Sequence, residues 1–113
     1  MANDIQGRLA AIGTPTLSSQ LIKHGLRQSY LSGPRRLVGD SALCGPAFTL
    51  RFVPARDDKA VPASYGWPGA LPAAIDAAPP GSIVVIDARG NPAAGTVGDI
   101  FADRLRLKGI QAT

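Results

Sequence analysis

The chain has 113 residues, of which 45% are hydrophobic and 18% are charged, and this composition is typical of a folded globular domain rather than a disordered segment. Its formal net charge is +4, from 12 basic and 8 acidic residues that are scattered along the sequence. Proteins that read nucleic acids usually collect basic residues into a stripe interleaved with aromatics, so the scattered charges and few aromatics argue against a nucleic-acid partner.

The N-terminal third predicts two short helices. Apolar residues at helical spacing indicate the first over residues 4–12, with Asp4 placed to cap it. A Gly-Thr-Pro sequence is expected to break it, after which Thr16 caps a second helix that ends at Gly25 in a left-handed conformation. Residues 26–40 predict an irregular connection.

The central part predicts a strand, a loop and a helix. Residues 44–53 alternate between apolar and polar, which indicates a strand with one buried face. Cys44, at the head of this strand, has no partner for an internal disulfide and no metal-ligand spacing, so we interpret it as a buried structural thiol. Residues 55–69 predict a loop, and residues 70–78 a short alanine-rich helix.

The last third predicts a strand, a glycine-rich turn and a helix. Four consecutive β-branched residues, Ile83–Ile86, suggest a strand of a parallel sheet. Residues 87–92 then turn, a helical pattern begins at Gly98, and Gly109 is placed to end it. Residues 110–113 indicate the first residues of another strand.

A glycine-rich turn that leads into a helix is a common way to bind an anion, because the first N–H groups of a helix have no internal partner. Gly95 and Gly98 would let a ligand approach the backbone closely. The spacing matches neither the dinucleotide-binding glycine pattern nor the P-loop pattern. From the spacing alone, the glycines could instead simply form the turn, and Asp99 could simply stabilise the helix start.

No segment predicts export or membrane insertion. Residues 1–4 are polar and no apolar signal segment follows them. No stretch reaches the length of a membrane span. The sequence therefore predicts a soluble, cytoplasmic protein without a membrane partner.

Three blocks of the sequence, in this order, carry a family resemblance: CGPAFTLRFVPARDD from Cys44, AIDAAPPGSIVVIDARGN from Ala74 and GDIFADRLRLKG from Gly98. They resemble the family of the regulator of ribonuclease activity A (RraA-like). That family includes the 4-hydroxy-4-methyl-2-oxoglutarate/4-carboxy-4-hydroxy-2-oxoadipate aldolases. The resemblance spans about residues 10–113.

The resemblance implies an α/β fold, a swivelling α/β/β-type domain. Residues 1–113 would be the N-terminal portion of a single RraA-like domain, truncated before its last strands. The resemblance also implies a homo-oligomer, a trimer or hexamer, with active sites between subunits.

The resemblance further implies a lyase that depends on a divalent metal, Mg or Mn. In such aldolases the metal holds a pyruvate-type substrate and stabilises the enolate formed when the C–C bond breaks. The backbone amides that hold the substrate carboxylate correspond to Ile100 and Phe101, which follow Gly98. The catalytic residue corresponds to Asp99, which would position a metal-bound or proton-transferring water. The implied reaction is cleavage of hydroxy-oxo-diacids, as in class II pyruvate-type aldolases and oxaloacetate decarboxylases.

The family pairs this glycine with an Arg–Asp motif about twenty residues further on, which falls just beyond Thr113. No metal ligand is therefore expected within this chain, and lyase activity is expected if the C-terminal half is supplied. The alternative is a non-catalytic regulator that binds a ribonuclease-type protein. Direct RNA binding by the basic residues is a third hypothesis.

Overall fold

A computed structural model describes residues 2–66 and 68–113. Its helices are α1 (Ala2–Ala10), α2 (Thr14–Lys23), α3 (Ala70–Ala77) and α4 (Asp99–Leu107), its strands are β1 (Ala47–Arg51) and β2 (Ile83–Asp87), and Pro62–Ser64 form a single 3-10 turn. The combination of helices with parallel strands confirms the α/β class. None of the helices in these two ranges has the length and apolar character needed to cross a membrane.

The chain divides into two compact units, Met1–Cys44 and Gly45–Thr113. The single domain predicted over residues 1–113 stays a prediction.

In the first unit the helices begin earlier than the sequence indicates. Helix α1 already includes Asp4, so the prediction that this residue caps the helix is wrong, because a cap must precede the first helical residue. Helix α2 has Gly13 as its N-cap and Pro15 in its first turn. The prediction that Thr16 caps α2 is wrong because Pro15, which has no N–H to satisfy, starts a helix rather than breaking it.

The end of α2 agrees with the sequence. Gly25 has a φ of 86°, and the N–H of Leu26 donates to the carbonyl of Leu21 at 2.9 Å, which closes the helix with a left-handed glycine. Residues 26–40 contain no helix or strand, as predicted. The strand predicted over residues 44–53 is shorter in the structure, where β1 spans Ala47–Arg51. Cys44, interpreted from the sequence as a buried structural thiol, is half-buried.

The second unit is built on two parallel strands. Strand β1 pairs with β2 from Ala47 opposite Ile83 to Arg51 opposite Asp87. On the other side of β2, Ala112 forms a parallel bridge with Ile83, and the N–H of Val84 donates to the Ala112 carbonyl at 2.9 Å. Residues 110–113, predicted as the first residues of another strand, thus contribute one isolated parallel bridge beside β2.

Helices α3 and α4 cover one face of this sheet. The fully buried apolar side chains include Ile75 in α3, Ala78 at its C-cap, Val84 in β2 and Leu105 in α4. Half-buried apolar side chains pack around them: Phe48, Leu50, Leu71, Ile86, Phe101 and Ile110. The opposite face of the sheet is more open, since Thr49 and Arg51 of β1 are exposed there.

Candidate functional site

The candidate site lies at the carboxyl edge of the parallel strands. Strands β1 and β2 point the same way, so Arg51 and Asp87 mark one edge of the sheet. Helix α4 lies between β2 and the segment at Ala112, which forms a parallel bridge with the start of β2. Because both segments run in the same direction, α4 must return the chain from the end of β2 to the opposite edge of the sheet. The N-terminus of α4 therefore starts from the edge at which β2 ends, where open α/β sheets usually bind ligands.

The first turn of α4 contains all four residues that the sequence indicates for the site. Gly98 is the N-cap, with extended backbone at a φ of −99°. The N–H of Ile100 donates to the carboxylate Oδ1 of Asp99 at 2.8 Å. None of the described residues accepts a hydrogen bond from the N–H of Phe101. One predicted carboxylate-binding amide is thus open, and the other is covered only by a neighbouring side chain.

The side chains of this turn divide between core and solvent. Phe101 is half-buried and packs against the core cluster, which anchors the start of α4. Ile100 is 77% exposed, although it is apolar. Asp99 is also exposed, so both it and the helix start are accessible to a small molecule.

The two glycines before α4 do not need to be glycine for the fold. A Cβ at Gly95 or Gly98 would have no heavy atom within 4 Å, apart from its chain neighbours, and neither residue has a positive φ. The space around the start of α4 is therefore open. This is the geometry expected if glycine leaves room for a ligand.

Asp87 organises the strand ends beside this turn. Its Oδ2 accepts a hydrogen bond from Arg51 Nε at 2.9 Å, and its Oδ1 accepts one from the backbone N–H of Arg89 at 2.8 Å. The Arg89 amide, followed by the Arg51 guanidinium, holds the pKa of Asp87 below its usual range. The sequence predicts only a turn for Asp87 and Arg89, and no motif indicates a functional role for Arg51. An Arg and an Asp that end two predicted parallel strands are the signal that could have indicated this pairing.

The described residues do not form a divalent-metal site by themselves. Within residues 2–66 and 68–113, no three His, Cys, Asp or Glu side chains are grouped closely enough to hold a metal ion. The two carboxylates at this edge have other partners, since Asp99 accepts the Ile100 N–H and Asp87 holds Arg51 and the Arg89 amide. The groups available at this edge are therefore backbone amides, guanidinium groups and two carboxylates.

Comparison with known proteins finds a family and a solved structure to which this chain is similar. The family model described as RraA-like, Aldolase/RraA, matches residues 14–113. The crystal structure of Streptomyces coelicolor RraAS2, described as an unusual member of the RNase ES inhibitor RraA protein family, is 32% identical with a TM-score of 0.80. That similarity covers 95% of this chain and 50% of the Streptomyces chain, so this chain spans half the length of its relative. No curated protein matches significantly. The chain therefore belongs to the RraA-like family, as the three sequence blocks predicted.

Proposed function

We propose that this chain carries the carboxylate-binding half of a lyase that cleaves a C–C bond in hydroxy-oxo-diacids, as an aldolase or an oxaloacetate-type decarboxylase. The observation that supports the proposal is the exposed first turn of α4 at the carboxyl edge of the strands. There the Phe101 amide has no acceptor among the described residues, and the Ile100 amide is held only by Asp99. A helix start of this kind favours a bound carboxylate.

Each residue of the turn has a distinct role in this proposal. The N–H groups of Ile100 and Phe101 bind the carboxylate of the keto acid, and Gly98 keeps the approach open. When the substrate carboxylate takes the Ile100 amide, the Asp99 carboxylate is released from its 2.8 Å hydrogen bond. Asp99 is then available to accept or deliver a proton, directly or through a water molecule.

The rest of the enzyme lies outside the described residues in this proposal. A divalent metal, Mg²⁺ or Mn²⁺, would need further ligands from outside the described residues, since no three of their His, Cys, Asp or Glu side chains are grouped for metal binding. The chain spans half of its Streptomyces relative, so we propose that the active form is an assembly, a cytoplasmic trimer or hexamer.

The lyase proposal is tested by pyruvate release from oxaloacetate, measured on the assembled protein with and without Mg²⁺. We expect release to depend on Mg²⁺ and to be lost in Asp99→Ala. The matched control is Asp103→Ala, which removes the same charge from α4 but from a residue that pairs with Arg106 at 2.8 Å. Turnover without metal, no turnover by the assembly, or an Asp99→Ala variant as active as Asp103→Ala would contradict the proposal.

A second candidate is a non-catalytic regulator that binds a ribonuclease-type protein. The Streptomyces relative, described as a member of an RNase ES inhibitor family, favours it. In the first unit, the apolar residues Leu37 and Val38 are 93% and 90% exposed. Neighbouring exposed apolar residues of this kind are typical of protein-binding surfaces.

This candidate is tested by adding the chain to a purified RNase E-type ribonuclease that cleaves a labelled RNA. We expect inhibition that needs neither metal nor keto acid and that is weaker in Leu37→Ser. Unchanged cleavage and no co-elution with the ribonuclease would count against a regulator. Direct RNA binding would instead show as binding in the absence of the ribonuclease, falling steeply with salt.

A further inference from the structure

A second set of hydrogen-bond donors lies at the carboxyl edge, apart from the first turn of α4. Arg51 ends β1 opposite Asp87, and its Nε donates to that carboxylate. A guanidinium has five N–H donors, so this contact leaves the terminal amino groups of Arg51 available. No described residue accepts a hydrogen bond from those groups or from the side chain of Arg89.

Asp87 holds the guanidinium of Arg51 and the backbone of Arg89. Besides the Arg51 guanidinium, it accepts the backbone N–H of Arg89, which has a φ of 57°. A residue other than glycine is strained in this left-handed region and stays there only when its surroundings hold it. The backbone position of Arg89, two residues after the end of β2, is therefore set before any ligand arrives.

The Arg51–Asp87 pair borders a groove of about 410 Å³ on the open side of the sheet. Its lining also includes Thr49, Leu50 and Val85, and Val85 lies opposite Thr49 in the register of the two strands, so an apolar side chain lies beside the ion pair. A groove with an apolar wall and a guanidinium at its end suits a carboxylate carried on a short carbon chain. Two guanidinium groups and one carboxylate leave one net positive charge, which matches one further carboxylate.

We propose that Arg51 and Arg89, held by Asp87, form a binding site for a carboxylate, which in the lyase is the second carboxylate of the keto diacid. This inference rests on the proposed function. The loop over residues 88–98 connects Asp87 to the N-cap of α4, so the two anion-binding groups belong to one continuous edge of the fold. The planar fork of an arginine matches the two oxygens of a carboxylate.

The test is a metal-free titration of the full 113-residue chain, labelled with ¹⁵N, at constant ionic strength. The probes are 2-oxoglutarate, a keto acid with two carboxylates, and 2-oxobutyrate, a keto acid with one. We expect 2-oxoglutarate to shift the side-chain Nε–H signals of Arg51 and Arg89 and to bind more tightly than 2-oxobutyrate. In Arg51→Gln or Arg89→Gln the diacid should bind about fivefold to tenfold more weakly, with the monoacid unchanged.

The matched control is Arg56→Gln, which removes the same charge from another exposed pair, that of Arg56 with Asp58. Its diacid affinity should stay at the wild-type value. Arg51→Lys keeps the charge beside Asp87 and should bind the diacid with an intermediate affinity, so the site can be judged even if Arg51→Gln disturbs the fold. Circular dichroism checks the fold of each variant.

The inference is overturned if the diacid binds no more tightly than the monoacid, if it does not bind at all, or if Arg51→Gln and Arg56→Gln weaken it equally. Metal-dependent cleavage by the assembly together with any of these results would leave the lyase standing without this site. If the assembly binds the diacid selectively through Arg51 and Arg89 but cleaves no substrate, the lyase proposal is rejected and the carboxylate-binding site is supported.

Discussion

The carboxylate of Asp99 accepts the backbone N–H of Ile100 at 2.8 Å, so the residue expected to perform the chemistry covers one of the two amides expected to bind the substrate. A side-chain carboxylate at the first position of a helix is also favoured by the helix dipole. A substrate carboxylate must compete with this internal anion for the same donor. In the proposed lyase, binding and proton transfer would thereby be linked, because the substrate that displaces Asp99 from the Ile100 amide also frees its carboxylate.

The first prediction is that Asp99→Ala binds simple carboxylates more tightly than the wild type does. The substitution frees the Ile100 amide and removes a negative charge from the start of α4. One hydrogen bond of this kind contributes about 1 kcal/mol, which corresponds to about a fivefold gain in affinity. Titration with oxalate, followed by the amide signals of Ile100 and Phe101, measures the change.

Asp103→Ala separates this effect from net charge, because Asp103 lies in the same helix but pairs with Arg106. We expect little change in oxalate affinity for this control. Equal gains in both variants would mean that charge alone governs binding, and the competition between Asp99 and the substrate would have to be abandoned.

The second prediction concerns Gly98, where alanine should affect the ligand and spare the fold. A Cβ at this position would meet no heavy atom within 4 Å, and the φ of −99° suits any residue. We expect the free energy of unfolding to change by less than about 1 kcal/mol while oxalate binding weakens. Thermal melting and the same titration give the two values. Gly7→Ala in α1, also in open space, should leave oxalate binding unaltered.

The third prediction is that Gly45→Ala destabilises the second unit. A Cβ at Gly45 would lie 2.6 Å from the carbonyl oxygen of Gly81 and 3.1 Å from Nε2 of Gln111. The Gly81 oxygen belongs to the backbone, so the chain itself must move, at a cost of about 1–3 kcal/mol. The melting temperature should fall by about 4–8 °C for each kcal/mol.

Gln111→Ala tests which contact causes this loss. The Gln111 side chain can be removed but the Gly81 carbonyl cannot, so Gly45→Ala should still destabilise the chain in the Gln111→Ala background. Full rescue in the double variant would show that the side chain, and not the close backbone approach, demands glycine at this position.

Local patterns in the sequence predicted the second unit well. The β-branched run at Ile83–Ile86 became β2, the helical pattern after Gly98 became α4, and Gly109 ends that helix with a φ of 75°. Each of these features depends on residues close together in the chain. The first turn of α4, which contains the whole predicted site, could be located for the same reason.

The features that the sequence did not predict depend on context. Thr16 has the side chain of a good cap, but Pro15 fits the first turn of α2 and takes the helix start to Thr14. The contact between Arg51 and Asp87 joins residues 36 positions apart, and only the register of β1 against β2 creates it. Neither hydrophobic periodicity nor capping patterns report the register of two parallel strands.

The fourth prediction is a loss of stability at acidic pH through Asp76. Arg104 Nε donates a hydrogen bond to the Asp76 carboxylate at 2.6 Å. This hydrogen bond is the main reason that the pKa of Asp76 lies below its ordinary value of 3.8. The folded state then binds this proton less readily than the unfolded state does. The stabilisation is therefore fully present above the ordinary value and is lost as the pH falls through the lower folded value.

Asp76→Asn removes this contribution, so the variant should melt below the wild type at neutral pH. The two melting temperatures should converge once the pH is lower than the folded pKa of Asp76, since the wild-type carboxyl is then protonated as well. Asp58→Asn is the control, because Asp58 pairs with Arg56 within an exposed loop rather than linking α3 to α4. A difference between Asp76→Asn and wild type that stays constant from neutral to strongly acidic pH would show that the ion pair with Arg104 does not stabilise the packing of α4 on α3.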